Sequence, residues 1–221
     1  MIITIDGPAA AGKGTLAASL AKEFNLAYFD TGMVYRAVGL EMLLNGYELT
    51  DNEKAEKFAE QLTFPRMMEL SKNPEFRSLN GSRAASAVAA MPKVRQALLE
   101  MQQNFSHNPV FADGSKADGA IYDGRDTGTV ICPHADIKFF ITASPEVRAM
   151  RRFKEYQEKG QDVDYKEVLE QTIARDKNDF ARAGSQPAAD AIHFDTSDLS
   201  ISEVFEQVCK IIVEKQKTLE K

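Results

Sequence analysis

The sequence has few of the residues and segments that mark several large classes of protein. It contains two cysteines, Cys132 and Cys209, which are too few for a disulfide scaffold and too far apart for a zinc or redox motif. Its three histidines are scattered and share no metal-ligand spacing. No apolar run approaches the roughly 20 residues that a membrane-spanning helix needs. We therefore expect neither a disulfide-rich protein, nor a protein metal centre, nor a membrane protein.

A basic excess is also absent. The chain carries 27 Lys and Arg against 33 Asp and Glu, which gives a formal net charge of -6. Nucleic acids and anionic membranes usually require a basic surface, so we expect neither as a partner, and an anionic ligand must be held by local groups. Because no basic segment precedes an apolar stretch in the first residues, we expect no signal peptide and a cytoplasmic location.

Short apolar runs alternate with longer segments of helical period along the 221 residues. This alternation is typical of an α/β protein with a parallel sheet. We predict one domain over residues 1–221, built on a doubly wound five-stranded parallel sheet. The predicted strands are Ile2–Asp6, Ala27–Phe29, Ala120–Asp123, Ile137–Thr142 and Ala191–Asp195.

The spacing of apolar residues predicts the helices between these strands. A first helix buries Leu16 and Leu20, and the final helix carries an apolar stripe of Ile201, Val204, Phe205, Val208, Ile211 and Ile212. Others are predicted over 34–44, 145–159 and 165–180. Residues 45–118 are the least regular part, with helical stretches at Asn52–Gln61 and Pro92–Phe105, and we predict an insertion there.

The strongest motif lies directly after the first strand. Gly7-Pro-Ala-Ala-Ala-Gly12-Lys13 fits the phosphate-binding pattern G-x-x-x-x-G-K, between a strand and an amphipathic helix. In such a loop, backbone N–H groups, the helix N-terminus and the lysine all favour bound phosphate. We predict that this P-loop binds the triphosphate of ATP. The predicted nucleotide-binding residues are Gly7, Pro8, Ala9, Ala10, Ala11, Gly12, Lys13, Gly14 and Thr15.

The P-loop departs from the general pattern at one position. Gly14 stands where Ser or Thr is usual, and the hydroxyl follows one residue later, at Thr15. Because Mg²⁺ keeps much of its hydration, we expect it to be held mainly by phosphates and water. Asp123 ends its strand where an acid could bind that ion through water, but a plain turn residue is an equal alternative.

Three segments carry arginines suited to a second phosphate. Arg36 follows the turn Asp30-Thr31-Gly32, and Arg125 lies in Gly124-Arg125-Asp126 at the carboxyl end of the third strand, where ligands of open α/β sheets bind. Arg175, Asp179 and Arg182 are spaced to share one helical face. Planar guanidinium groups neutralise the charge of a transferring phosphoryl group well. The three segments therefore favour a P-loop kinase.

These motifs together resemble the bacterial cytidylate kinase family. The segments GPAAAGKGT, DTGMVYRAV, RAASAVAAMPKVRQALL, DGRDTGTVICPHADIKFFITAS, ARDKNDFAR and QPAADAIHFDTSDLSI follow the family's order and cover most of the chain. The resemblance implies a kinase that transfers a phosphoryl group from ATP to CMP or dCMP, both small molecules, and that acts as a monomer.

The resemblance also implies roles for individual residues. Thr31 and Arg36 would hold the acceptor, and Ser86, Arg95 and Asp126 would read the cytosine. The residues that would contact the acceptor's phosphate, sugar or base are Arg125, Arg175, Asp179 and Arg182. A mobile lid is implied over about 144–160, with Arg148, Arg151 and Arg152 closing on the triphosphate and excluding water. The expected catalytic residues are Lys13, Arg125 and Arg151.

Two departures from the family concern substrate preference. Residues 62–80 are too short for the small three-stranded sheet of many members, so a reduced, mostly helical acceptor region is expected. After Arg182 the usual Pro-Leu pair is missing. A kinase of UMP, AMP or another small metabolite stays open, as does a module that only binds nucleotide. A guanine-nucleotide switch is disfavoured because Asp176-Lys177-Asn178-Asp179 lacks the first letter of the N-K-x-D pattern.

Overall fold

The five strands form one sheet in the computed structural model, which describes residues 1–158, 160–181 and 186–219. The strands are β1 (Ile2–Asp6), β2 (Ala27–Asp30), β3 (Ala120–Gly124), β4 (Ile137–Thr142) and β5 (Ile192–Asp195). Their order is β2-β3-β1-β4-β5, and β1 pairs in parallel with both β3 and β4. The predicted five-stranded parallel α/β fold is confirmed, with strand ends that differ from the prediction by about one residue.

Two compact units make up the chain. One combines Met1–Phe29 with Asn108–Lys221 and contains the P-loop and most of the sheet, and the other is Asp30–His107. The second unit therefore begins earlier than the insertion predicted from residue 45. Below, the first is called the sheet unit and the second the helical unit.

The core of the sheet unit lies between the sheet and two helices, α1 (Lys13–Glu23) and α9 (Ile201–Leu219). Leu16 and Leu20 of α1 are buried against β1, β3 and β4, as their i, i+4 spacing predicts. On α9, Val204, Val208 and Ile212 are buried, but Ile201 is 67% exposed. The predicted apolar stripe is therefore wrong at its first residue, which lies at the end of the helix.

Two further helices of the sheet unit pack against each other. They are α7 (Pro145–Glu158) and α8 (Tyr165–Phe180). Asp164 caps α8 by accepting hydrogen bonds from the backbone N–H groups of Lys166 and Glu167. The rings of Phe153 and Tyr165 meet edge to face, with centroids 5.9 Å apart. These contacts fix the helix that carries Arg175 and Asp179 beside the helix that carries the predicted lid arginines.

The described part of the helical unit is built from helices. They are α2 (Gly32–Leu44), α3 (Asn52–Gln61), α4 (Phe64–Leu70), a short 3₁₀ helix (Pro74–Arg77), α5 (Leu79–Ala89) and α6 (Pro92–His107). Side-chain caps begin α3, α4 and α5, at Asp51, Thr63 and Ser78. The three helices predicted within this unit are confirmed, although α2 begins two residues earlier than predicted and α6 extends two residues beyond its predicted end.

A search of the described residues finds no helix both long and apolar enough to span a membrane.

Candidate active site

The P-loop joins β1 to α1 through backbone conformations that favour glycine. Gly7 has a φ of 141°, and a Cβ there would overlap the carbonyl oxygen of Ile141 on β4. Gly12, directly before α1, has a φ of 91°. Ala10 between them has a φ of 60°, in the left-handed region. This conformation is unfavourable for alanine because its Cβ crowds the backbone, whereas glycine adopts it freely. The sequence pattern thus corresponds to a tight phosphate-binding turn at the N-terminus of a helix.

Lys13, the first residue of α1, is buried at 5% exposure. Its Nζ donates a hydrogen bond to the carbonyl oxygen of Pro8 at 3.0 Å and lies 3.6 Å from a carboxylate oxygen of Asp123. Burial lowers the pKa of Lys13 to about 8, and the positive charge of Arg125 acts in the same direction. Asp123 opposes that shift but does not cancel it, because desolvation of the ammonium group is the larger effect.

Two side chains outside the P-loop lie within hydrogen-bond distance of its carbonyl oxygens. Arg148 on α7 donates to Ala9 at 3.2 Å. The hydroxyl of Thr196 lies 3.4 Å from the carbonyl oxygen of Ala11 and 3.0 Å from that of Thr142. Arg148 also forms a two-pronged ion pair with Asp176 on α8. With 2% exposure, Arg148 braces the loop in this structure. The sequence prediction had assigned it to contact with the triphosphate.

The other two predicted lid arginines also contact protein groups. Arg151 donates to the hydroxyl and the carbonyl oxygen of Thr196, at 3.2 Å and 2.8 Å. Arg152 donates to the hydroxyl of Tyr156 one helical turn away. Arg151 is therefore joined to the P-loop through Thr196, whereas Arg152 stays on its own helix. Residue 159, at the end of the predicted lid, lies outside the described part of the chain.

Arg125, Arg175 and Asp179 form a cluster at the carboxyl end of the sheet. Arg125 donates to Asp179 at 3.0 Å and to the carbonyl oxygen of Gly124, and Arg175 lies 3.8 Å from the same Asp179 carboxylate. Asp179 is buried. The cluster opens onto a small pocket whose lining includes Gly7, Pro8, Arg125, Asp179, Phe140 and Phe180. The start of the P-loop and this arginine cluster thus line one cavity.

The turn that carries Arg125 is fixed by Asp6 at the end of β1. The carboxylate of Asp6 accepts hydrogen bonds from the backbone and side chain of Thr127 and from the backbone of Gly128. Burial raises the pKa of Asp6 above its usual range, while these hydrogen bonds act in the opposite direction. Asp126, predicted to read the base, is buried at the start of this turn.

Four of the remaining predicted acceptor residues, Thr31, Arg36, Ser86 and Arg95, lie in the helical unit. Arg36 donates to the carbonyl oxygen of Phe76 and to the hydroxyl of Ser82. Arg95 places its guanidinium group 5.7 Å from the centre of the Tyr35 ring. Thr31 is buried at the N-terminus of α2, and Ser86 is half-buried on α5. Arg182 and the segment after it, residues 183–185, lie outside the described residues.

Three residues that act in this arrangement were not predicted from the sequence: Asp6, Asp176 and Thr196. Asp176 and Thr196 lie inside motifs that the sequence analysis quoted, but their partners are far away along the chain. The sequence offers one indication of the role of Asp6: a carboxylate ends a strand that is otherwise mostly apolar. Their roles depend on tertiary contacts that spacing alone does not reveal.

The parallel sheet, the P-loop with its buried lysine and the neighbouring arginine pair define a P-loop phosphotransferase. Comparison with known proteins narrows this class. The family model described as cytidylate kinase matches residues 3–214, and the chain belongs to the cytidylate kinase family. The family prediction and the prediction of a nucleoside-monophosphate kinase are therefore confirmed.

Individual relatives agree with the family match. The cytidylate kinase of Methylocella silvestris is 45% identical over 214 residues, covering 96% of this chain and 94% of the relative. That of Paramagnetospirillum magneticum is 46% identical and covers 97% of this chain and 99% of the relative. The crystal structure of an uncharacterized protein from Eubacterium ventriosum aligns with a TM-score of 0.53 at 12% identity, over 97% of this chain and 98% of that one. This last likeness concerns the fold alone.

Proposed function

We propose that this protein transfers the γ-phosphoryl group of ATP to CMP or dCMP, giving ADP and CDP or dCDP. The observation that carries the proposal is that the P-loop and the arginine cluster follow the paired strands β1 and β3 at the same carboxyl edge of the sheet, where Gly7, Pro8, Arg125 and Asp179 line one small pocket. A donor phosphate on the loop and an acceptor phosphate on the cluster would meet there.

On the donor side, the P-loop amides and the N-terminus of α1 hold the triphosphate of ATP. Lys13 supplies a buried positive charge to the transferring oxygens, after exchanging its hydrogen bond to Pro8 for one to phosphate. Its low pKa reflects an unfavourable site for the charge, which an anionic ligand would relieve.

On the acceptor side, Arg125 and Arg175 bind the phosphate of CMP. Their side chains are held by Asp179 at 3.0 Å and 3.8 Å, so both are oriented before the ligand arrives. Asp126 and Asp179 of the same unit contact the base or the sugar, in the roles that the family resemblance implies for them.

The chemistry is a direct in-line displacement. An oxygen of the acceptor phosphate forms a bond to the γ-phosphorus as the bond from that phosphorus to the β–γ bridging oxygen breaks, and the electron pair leaves on ADP. Because the attacking oxygen is already anionic near neutral pH, no strong general base is needed. Catalysis is electrostatic, through Lys13, Arg125 and Arg151.

The site suits a magnesium ion carried by the nucleotide. A Cβ on Gly14 would lie 3.1 Å from a carboxylate oxygen of Asp123 and 3.6 Å from the hydroxyl of Tyr28, so both oxygen atoms face the start of α1. No cluster of three or more His, Cys, Asp or Glu side chains that could hold a metal occurs among the described residues. Because Mg²⁺ keeps several of its waters, Asp123 would hold the ion through water. The bound ion would supply positive charge at the β- and γ-phosphates.

Arg151 would complete the donor site by leaving Thr196. In this structure its guanidinium group donates to the hydroxyl of Thr196, which lies 3.4 Å from the carbonyl oxygen of Ala11 in the P-loop. Exchange of Thr196 for the triphosphate would close α7 over the nucleotide and exclude water as a competing acceptor.

The test is ADP release from Mg-ATP by the purified protein, with CMP, dCMP, UMP, AMP and no acceptor in parallel. Stimulation by CMP and dCMP, at least about 10-fold above the other acceptors, supports the proposal. Stimulation by none would contradict it, and preference for UMP or AMP would reassign the acceptor. Lys13→Ala should abolish release in every reaction, whereas Lys22→Ala, at an exposed position of the same helix, is the matched control and should leave it unchanged.

A further inference from the structure

Asp6 lies between the two halves of the proposed site. It is the last residue of β1 and is followed directly by Gly7 of the P-loop. It is 4% exposed. Its register partner on β3 is Gly124, directly before Arg125. One residue therefore connects the start of the donor loop with the start of the acceptor turn.

Three donors converge on the Asp6 carboxylate. One oxygen accepts from the backbone N–H and the hydroxyl of Thr127, at 2.9 Å and 2.8 Å, and the other accepts from the backbone N–H of Gly128 at 2.8 Å. A carboxylate suits this task because both of its oxygens accept and neither carries a hydrogen. Hydrogen bonds to a charged acceptor are also stronger than neutral ones.

The backbone held in this way has an unusual form. Thr127–Ile131 is a π-helical turn, in which Ile131 donates to the carbonyl oxygen of Asp126 at 3.2 Å and Cys132 donates to that of Thr127 at 2.7 Å. Such turns are rare and are frequently found at functional sites. This one directly follows Arg125 and Asp126, so its position determines where both side chains begin.

Gly128 packs closely against β1, which also helps to hold the turn in place. A Cβ on Gly128 would lie 2.9 Å from the hydroxyl of Thr4 and 3.4 Å from the second oxygen of Asp6. Only glycine lets the turn approach β1 closely enough for the Gly128 amide to reach the carboxylate.

We propose that Asp6 is a positioning residue that fixes the Arg125–Asp126 turn for acceptor binding while it carries the P-loop on its other side. The proposal rests on the proposed function. It requires that weakening the Asp6 contacts impair the binding of CMP more than the binding of ATP. The hydrogen bonds of Asp6 go to the turn after Arg125 and Asp126, and not to the P-loop.

The test compares Asp6→Asn with the wild type. Asparagine keeps the size of the side chain but turns one acceptor oxygen into a donor, which would face a backbone N–H of the turn. We expect the KM for CMP to rise at least about 10-fold and kcat to fall at least about 10-fold, while the Kd for Mg-ATP from calorimetry changes less than about 3-fold.

Thr127 provides a second pair of variants that leaves β1 and the P-loop untouched. Thr127→Ser keeps the hydroxyl and should stay within about 3-fold of the wild type, whereas Thr127→Val removes it and should raise the KM for CMP about 3- to 10-fold. If Asp6→Asn does not fold, the two Thr127 variants alone test the positioning role of Asp6.

The outcomes separate two kinds of failure. Equal losses for CMP and ATP, or CMP kinetics within 2-fold of the wild type in every folded variant among Asp6→Asn and Thr127→Val, would overturn the positioning role. A wild-type enzyme without CMP-dependent ADP release would instead overturn the proposed function on which the role depends.

Discussion

Among individual residues, Lys13 places a positive charge where its side chain is only 5% exposed. Its pKa of about 8 means that the folded protein without nucleotide disfavours the ammonium form. Between that value and the ordinary 10.5, the unfolded chain binds more protons at this residue than the folded one. The unfavourable contribution of Lys13 to stability is therefore full below pH 8 and diminishes as the pH rises through that window.

Binding of ATP should reverse this balance. The triphosphate favours the charged lysine and raises its pKa, so we expect ATP binding to take up protons near pH 8.5 and to weaken above about pH 8, by at most about 10-fold per pH unit. Calorimetry in two buffers of different ionisation enthalpy measures the proton uptake directly. An affinity that stays flat from pH 7 to 9.5, with no uptake, would contradict the account.

Ala10 offers a test of the loop backbone with a matched control. Its φ of 60° is unfavourable for a residue with a Cβ, so Ala10→Gly should raise the free energy of unfolding by about 0.5–1 kcal/mol. Ala18 is an exposed residue within α1, where the same substitution should lower it by about 1 kcal/mol. Urea denaturation of both variants measures this difference. If both substitutions change the free energy of unfolding in the same direction, Ala10 does not have the left-handed conformation described here.

At the scale of the element, the packing of α2 against α5 depends on Gly39. A Cβ there would lie 2.8 Å from the carbonyl carbon of Ala84 and 2.8 Å from the backbone nitrogen of Ala85. Replacing an exposed glycine within a helix by alanine usually raises the free energy of unfolding of the protein. Here the helices would have to move apart, so steric overlap should outweigh that gain.

We therefore expect Gly39→Ala to lower the free energy of unfolding by about 1–3 kcal/mol. Leu44→Ala, at a 55% exposed position of the same helix, serves as the control and should change it by less than about 0.5 kcal/mol. Both values come from urea denaturation. A stabilised Gly39→Ala variant would show that α2 and α5 do not pack this closely.

The elements were largely predictable because buried strands and amphipathic helices leave periodic patterns. The five strands and the helices α3, α7 and α8 follow those patterns closely. The π-helical turn Thr127–Ile131 was not predictable, because its form depends on the Asp6 carboxylate reached through strand pairing. The exposure of Ile201 was missed because periodicity does not show where a helix leaves the core.

For the whole molecule, the sequence identifies the P-loop more directly than the residues proposed to bind the acceptor. The P-loop is contiguous, so its spacing alone identifies it, and the structure shows the expected turn before α1. The acceptor residues come from separated segments, and their roles were implied by family resemblance. Of these, the structure brings Arg125, Arg175 and Asp179 into one cluster, and it places Arg36, Ser86 and Arg95 in the helical unit.

The proposed function places phosphorylation of CMP at a site formed by the P-loop and the Arg125 cluster. The most direct measurement is a single-turnover experiment, with enzyme in excess over labelled CMP, saturating Mg-ATP and separation of CMP from CDP. We expect CDP formation by the wild type and a rate at least about 100-fold lower for Arg125→Ala, with little change in ATP binding. No CDP from the wild type, or equal rates for the two proteins, would contradict it.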